Sequence, residues 1–233
     1  MKGQVQEYIH SLQQTLDNLP LAQIERVIER LLQAQQERKT VFIFGNGGSA
    51  STASHFACDL GKGTALPGVP RLRVISLTDN VELITAWAND TAYEHIFAEQ
   101  LRGLVEPGDV VIGISGSGQS KNVLNAIALA HRVGATTVGL SGFDGGSLAD
   151  MVDISVVVPS NCMERIEDVH LILEHTISTV VRETLRQQAH LWTELHTDQG
   201  QGAHPEIGDP VLNLPKSQKQ DSGKNGHSQK RPL

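Results

Sequence analysis

A chain of 233 residues, 39% hydrophobic and 19% charged, is long enough for one sizeable domain with its own core and has an ordinary globular composition. A formal charge of -7 argues against general affinity for nucleic acid or membrane surfaces, and two cysteines, Cys58 and Cys162, exclude a disulfide framework and zinc-finger spacing. The opening MKGQVQEYIH lacks a signal-peptide core and no apolar run reaches membrane-spanning length, so a reducing, cytoplasmic setting is expected.

In chain order, Tyr8, Ile9, Leu12, Leu16 and Leu19 recur at helical spacing, and Ile24, Val27, Ile28, Leu31 and Leu32 do so again after Pro20. This predicts two amphipathic helices ahead of the first strand. Strands are predicted at Thr40–Phe44, Leu72–Leu77, Asp109–Ile114, Thr136–Leu140 and Ile154–Val158. Most are unbroken apolar runs, as strands covered on both faces require. Helical patterns fall between or after them at Ser49–Gly61, Ser120–Val133 and Met163–Gln188, which predicts an α/β fold with a largely parallel sheet. No repeat of solenoid length occurs.

Residues 1–195 are expected to form the domain. Residues 196–233 are rich in Gly, Pro, Gln, Ser and Lys, and only Ile207, Val211, Leu212 and Leu214 cluster as apolar side chains. Such a segment buries too little surface to offset its ordering entropy, so a disordered tail is expected. It reads as a solubilising extension or as a partner-binding motif.

Two glycine-bearing polar loops each follow a predicted strand and open a predicted helix. The first is Gly45-Asn46-Gly47-Gly48-Ser49; the second is Ser115-Gly116-Ser117-Gly118-Gln119-Ser120. Glycine brings backbone N–H groups close to a ligand, the helix start adds positive potential, and serine hydroxyls add donors. Neither loop matches the lysine-bearing phosphate loop or the dinucleotide fingerprint. A single such turn also arises from strand–helix packing alone, but two in one chain, the second with three serines, point to a phosphorylated small molecule.

His55 and Asp59 stand at i and i+4, on one helical face. That spacing suits a divalent metal, an acid–base pair or a local ion pair. Further on, Ile166, Val169, Ile172, Leu173, Ile177 and Val180 form an apolar helix face. Glu167, His170, Glu174 and His175 gather on the other side, which reads equally as a solvated stripe. Glu167 and His175 are about 12 Å apart along a straight helix. One ion can be reached by both only from between them, or by sharing across subunits.

Together these residues resemble the sugar isomerase (SIS) domain family and, within it, the phosphoheptose isomerases. The resemblance is carried by GNGGSASTASHFACDL, AWANDTAYEHIF, GISGSGQSKNV, SGFDGGSLAD and ERIEDVHLILEH, and it spans the chain to about residue 190. It implies a five-stranded parallel sheet between helices, with an N-terminal helical pair, assembled as a homotetramer with active sites at subunit interfaces. It implies a sugar phosphate substrate held by Ser49, Ser115, Ser117 and Ser120, with Asn46, Gly47 and Gly116 in the loops and Asn89 and Asp90 as substrate contacts. It places His55, Asp59, Glu167 and His175 at zinc-holding positions, with Glu167 also near substrate, and Asp59 and His175 at those of proton transfer. No nucleotide or redox cofactor, nucleic acid or membrane partner is implied.

The chain departs from the family pattern in three places. Asp59 stands where the family has Glu, Glu167 where it has Gln, and Gly116 where it has Thr. The added acid favours a dication. The resemblance implies isomerisation of sedoheptulose 7-phosphate to a D-glycero-D-manno-heptose 7-phosphate through an enediol, for surface-glycan precursors. The competing readings are a non-catalytic SIS regulator or replication-initiator partner, and an isomerase of another ketose or aminosugar phosphate. Family relatives of the first kind lack the acid at the position of Asp59, which this chain retains.

Overall fold

The computed structural model describes residues 1–197, so the tail expected from residue 196 lies outside the described residues except for its first two. Two helices lead, α1 (Lys2–Asp17) and α2 (Leu21–Gln36), and Pro20 stands at the start of α2, where its missing N–H costs nothing. Five strands follow: β1 (Thr40–Gly45), β2 (Arg73–Ser76), β3 (Val110–Ile114), β4 (Thr136–Ser141) and β5 (Ile154–Val157). All pair in parallel, in the order β2-β1-β3-β4-β5. This is the expected sheet, and each strand lies within a residue or two of its predicted bounds.

Every residue of β1 and β3 is buried, the physical reason for their unbroken apolar runs. Alternate side chains feed two cores. Val41, Ile43, Val110, Ile112 and Leu140 meet α2, α3 (Gly48–Cys58) and α8 (Met163–Thr197) on one face. Phe42, Phe44 and Val111 meet α5 (Ile96–Arg102), α6 (Lys121–Val133) and α7 (Gly146–Met151) on the other. The predicted helix Ser49–Gly61 is α3 up to Cys58 and then a π-helical turn, Asp59–Gly63. Between β2 and α5 lies α4 (Val81–Asp90), which has no buried residue.

The chain leaves β1 for α3 on one face and β3 for α6 on the other, so neither connection covers the crevice between these neighbours. In an open parallel sheet this is where ligands bind, beyond the carboxyl ends of the strands.

Helix α8 differs from its sequence reading. Ile166, Val169, Leu173 and Ile177 are buried as expected, but so are His170 and Glu174, placed in sequence on the polar side, and Val180 is exposed. The reason is that α8 packs against α2 and α3 as well as the sheet, which covers more than one stripe. Helix α1 is tied to it by the Tyr8 hydroxyl, which donates to Asp168 Oδ2 at 2.6 Å.

Within this packing His170 is 1% exposed, its Nε2 lies 3.2 Å from the carbonyl of Ser141, and its Nδ1 has no partner. Burial therefore lowers its pKa to about 4, outweighing the carbonyl's opposing pull. The unfolded chain takes up this proton near the ordinary histidine value, so stability is complete above that value and declines as pH falls toward about 4. Urea denaturation should show a loss of about 2 kcal/mol from this group between pH 7.5 and pH 5. A His170→Gln variant should lack that part of the slope; an unchanged slope would mean that His170 is protonated in the folded chain.

Candidate active site

The two glycine loops begin side by side. A Cβ on Gly45, the last residue of β1, would lie 2.7 Å from Ser49 Cβ and 2.8 Å from the carbonyl of Ile114 at the end of β3. Asn46 and Asn122 exchange two hydrogen bonds across the gap: Asn46 Nδ2 donates to Asn122 Oδ1 at 2.8 Å, and Asn122 Nδ2 donates to Asn46 Oδ1 at 2.9 Å. Tyr93, in the short turn Tyr93–His95, donates its hydroxyl to Asn46 Oδ1 at 2.9 Å. The cleft beside this network is about 370 Å³ and is lined by Asn46, Tyr93, Ser120, Lys121 and Asn122 among others.

In the second loop Ser115 Oγ donates to Ser120 Oγ at 3.1 Å, and the N–H of Gln119 donates to Ser117 Oγ at 3.3 Å. Ser120 caps α6 without a side-chain cap bond, and although the Val123 N–H donates to Asn122 Oδ1 at 2.9 Å, those of Lys121 and Asn122 remain available to an anion. The loop is stitched to the next one, because Gly142 N–H donates to the carbonyl of Gly116 and Leu148 N–H to that of Gly118. Gly118 has φ +64, and a Cβ there would sit 2.0 Å from the carbonyl oxygen of Gly145. The departure at Gly116 has a local cause: Met163 Sδ lies 2.5 Å from where its Cβ would be, so the thioether fills the space a threonine would use.

At the far end of α3, His55 and Asp59 meet α8. His55 Nε2 lies 4.0 Å from Asp59 Oδ1, and His175 Nε2 lies 3.9 Å from Asp59 Oδ2. The two imidazoles pack edge to face with centroids 4.8 Å apart. The fourth member is Glu174, with Oε1 3.5 Å from His55 Nδ1 and Oε2 3.7 Å from His175 Nε2. One ligand atom from each of the four lies within 4.8 Å of the others. Burial raises the Glu174 carboxyl above the usual carboxylate range, against the opposite pull of His175 and His55.

The chemistry of this set fits a dication. Two imidazoles and two carboxylates are ligands of zinc and of similar transition metals. Neither oxygen of Glu174 has a hydrogen-bond partner, although its side chain is fully buried. A buried carboxylate without a hydrogen-bond partner is costly, imidazoles at 3.5 and 3.7 Å offset that only in part, and a cation among these atoms would offset more.

Of the residues expected at the site, His55, Asp59 and His175 converge, and Ser115 and Ser120 join. Glu167 lies outside the convergent group. Its carboxylate packs on Gly48, where an added Cβ would meet Oε1 at 2.8 Å, at the opposite end of α3 from Asp59. Asn89 and Asp90 stand exposed at the end of α4, joined to each other at 2.9 Å. Glu174, Asn122 and Tyr93 were not foreseen at the site. Glu174 was visible as one acid in the polar stripe of α8, while Asn122 and Tyr93 lie within segments that carry the family resemblance but were not singled out there.

Residues 6–142 match the sequence profile described as SIS domain. Over 188 residues the chain is 36% identical to the phosphoheptose isomerase of Geotalea daltonii, covering 79% of this chain and 97% of that one. The phosphoheptose isomerase of Sulfurimonas denitrificans is 38% identical over 193 residues, again with 79% and 97% coverage. Among solved structures, a phosphoheptose isomerase from Francisella tularensis superposes with a TM-score of 0.72 at 29% identity, over 78% of this chain and 97% of its own.

The Gly118–Gly145 contact predicts a specific sensitivity. Gly118→Ala forces a left-handed residue and a backbone clash, so it should cost about 1–3 kcal/mol in urea denaturation and weaken calorimetric binding of phosphate. Unchanged values for both would show that this contact does not hold the serine loop.

Proposed function

Because the chain belongs to the SIS domain family, among its phosphoheptose isomerases, we propose that it interconverts sedoheptulose 7-phosphate and D-glycero-D-manno-heptose 7-phosphate. The observation that carries this reading is the pairing of a serine-lined anion loop at the β1–β3 crevice with a carboxylate–imidazole cluster at the other end of α3. Gly48 and His55 are about 10 Å apart along that helix, a span suited to a sugar of several carbons anchored by its phosphate. The names of the relatives support a phosphosugar isomerase; the heptose is the specific member proposed.

In this reading Ser49, Ser115, Ser117 and Ser120 bind the phosphate, with Asn46, Gly47 and Gly116 shaping the loops and Asn89, Asp90 and Glu167 on the sugar. Asp59 removes the proton from C1 of the ketose while the carbonyl oxygen on C2 gains one, which gives the enediol. Return of a proton to C2, with loss of the proton on O1, leaves the aldehyde at C1. His175, 3.9 Å from Asp59, is the partner in this transfer. One zinc ion per site, held by His55, Asp59 and His175, would polarise the sugar's oxygens when bound. No redox cofactor is needed, since carbon is neither oxidised nor reduced overall.

A cytoplasmic homotetramer is part of the proposal. It is supported by apolar side chains left exposed on single helices, Val81 on α4 and Val5 on α1 among them. No helix among the described residues is long and apolar enough to cross a membrane. Light scattering at micromolar concentration should give four chains; a fully active monomer would sink the assembly.

The central test follows solvent deuterium into C1 or C2 across a panel of five- to seven-carbon sugar phosphates. Sedoheptulose 7-phosphate should exchange fastest, chelation should suppress exchange, and zinc should restore it. Asp59→Asn keeps the side-chain size but removes the base, so exchange should fall by roughly 100- to 10,000-fold while substrate still binds. Exchange at the wild-type rate would remove Asp59 as the base. Tight binding without exchange by the wild type would leave a sugar-phosphate-sensing regulator instead.

A further inference from the structure

The Asn46–Asn122 amide pair has one orientation, and a backbone group sets it. The Val123 N–H can only donate, so the Asn122 atom it meets at 2.9 Å is the amide oxygen. Asn122 then turns its nitrogen to the oxygen of Asn46 at 2.9 Å, and Asn46 Nδ2 donates back to Asn122 Oδ1 at 2.8 Å. Tyr93 gives its hydroxyl hydrogen to the same Asn46 oxygen at 2.9 Å. An amide oxygen has two lone pairs, and on both side chains each lone pair is now in use. An amide nitrogen has two hydrogens, and on both side chains one is still free.

Donation is therefore all that these two amides can offer a ligand, and both line the cleft of about 370 Å³. The second loop is biased the same way. Ser120 Oγ accepts from Ser115, and Ser117 Oγ accepts from the N–H of Gln119, so both hydroxyls keep their own hydrogen to give. Tyr93 is 57% exposed, so its ring adds little to the core, whereas Asn122 is 3% exposed and held in place. Without the phenol, Asn46 Oδ1 would keep one lone pair for a ligand's hydrogen.

We propose that Tyr93 is a specificity-determining residue that acts through Asn46: with Asn122 it holds that amide as a donor only, and the cleft selects fully deprotonated oxyanions. This rests on the reading of the crevice as a phosphate site. The dianion of a phosphate ester carries three acceptor oxygens and no P–OH. A protonated phosphate brings a hydrogen for which neither amide has a lone pair. Sulfate, which has no proton at neutral pH, resembles the dianionic ester, while inorganic phosphate keeps at least one.

Calorimetric titration with sulfate and with inorganic phosphate at pH 7 tests this apart from turnover. The wild type should bind sulfate at least as tightly as inorganic phosphate. Tyr93→Phe should weaken sulfate by roughly 3- to 10-fold and phosphate by less, with an unchanged melting temperature. Asn46→Ala should weaken both anions, and adding Tyr93→Phe to it should cost nothing further, because the phenol acts through that amide. With sugar phosphate, Tyr93→Phe should raise KM and leave kcat within about 2-fold. Additive losses in the double variant, or equal weakening of the two anions by Tyr93→Phe, overturn the proposal and keep the phosphate reading. So does a wild type that prefers inorganic phosphate to sulfate by roughly 10-fold or more. A wild type that binds neither anion and no sugar phosphate overturns both.

Discussion

The arrangement of this molecule depends on the hydrogen-bonded pairing of β1 with β3. These strands are neighbours in space but belong to connections that depart for opposite faces of the sheet. Their carboxyl ends therefore open on a crevice that no crossover helix fills. Both polar loops start there, and the reciprocal amide pair between Asn46 and Asn122 closes the distance between them. The serine loop is held by a backbone already committed to the sheet, so a ligand bound there would meet little further ordering cost.

From β1 the same constraint sends α3 across the sheet toward α8. One helix thus links the first glycine loop to the carboxylate–imidazole cluster. The break to π geometry at Asp59 falls where the carboxylate must turn toward His175, and such turns often mark functional positions. Of the three departures, the one at Gly116 has a local counterpart: Met163 Sδ occupies the volume a side chain would need there.

Much of this was legible in the sequence. Strands buried on both faces must be apolar throughout, and so β1, β3 and β4 announced themselves. The two loops were visible because glycine and serine cluster at strand-to-helix boundaries for few other reasons. What could not be read was which side of α8 would face α3. Periodicity sorts a helix into stripes but does not say how many stripes a neighbour will cover, and so His170 and Glu174, placed on the polar side with Glu167 and His175, were found in the interior. The short helices α4 and α7 escaped notice for a related reason: one buries nothing and the other has six residues, too few to set a period.

Glu167 meets α3 at Gly48 and Glu174 meets it at His55, each pair seven residues apart on its own helix, and this matched spacing of α3 and α8 governs which changes of length the chain can absorb. Deleting one residue between Gly48 and His55 would rotate everything beyond it by about 100° and carry the imidazole off the shared groove. The same deletion between Glu167 and Glu174 would swing the buried acid away from its neighbours. Residues 64–72, after the π-helical turn and before β2, carry no such phase relationship, and added residues there cost little in closure entropy. Natural variation in length should therefore collect in that connection, and these two helices should keep their residue count even where their side chains change.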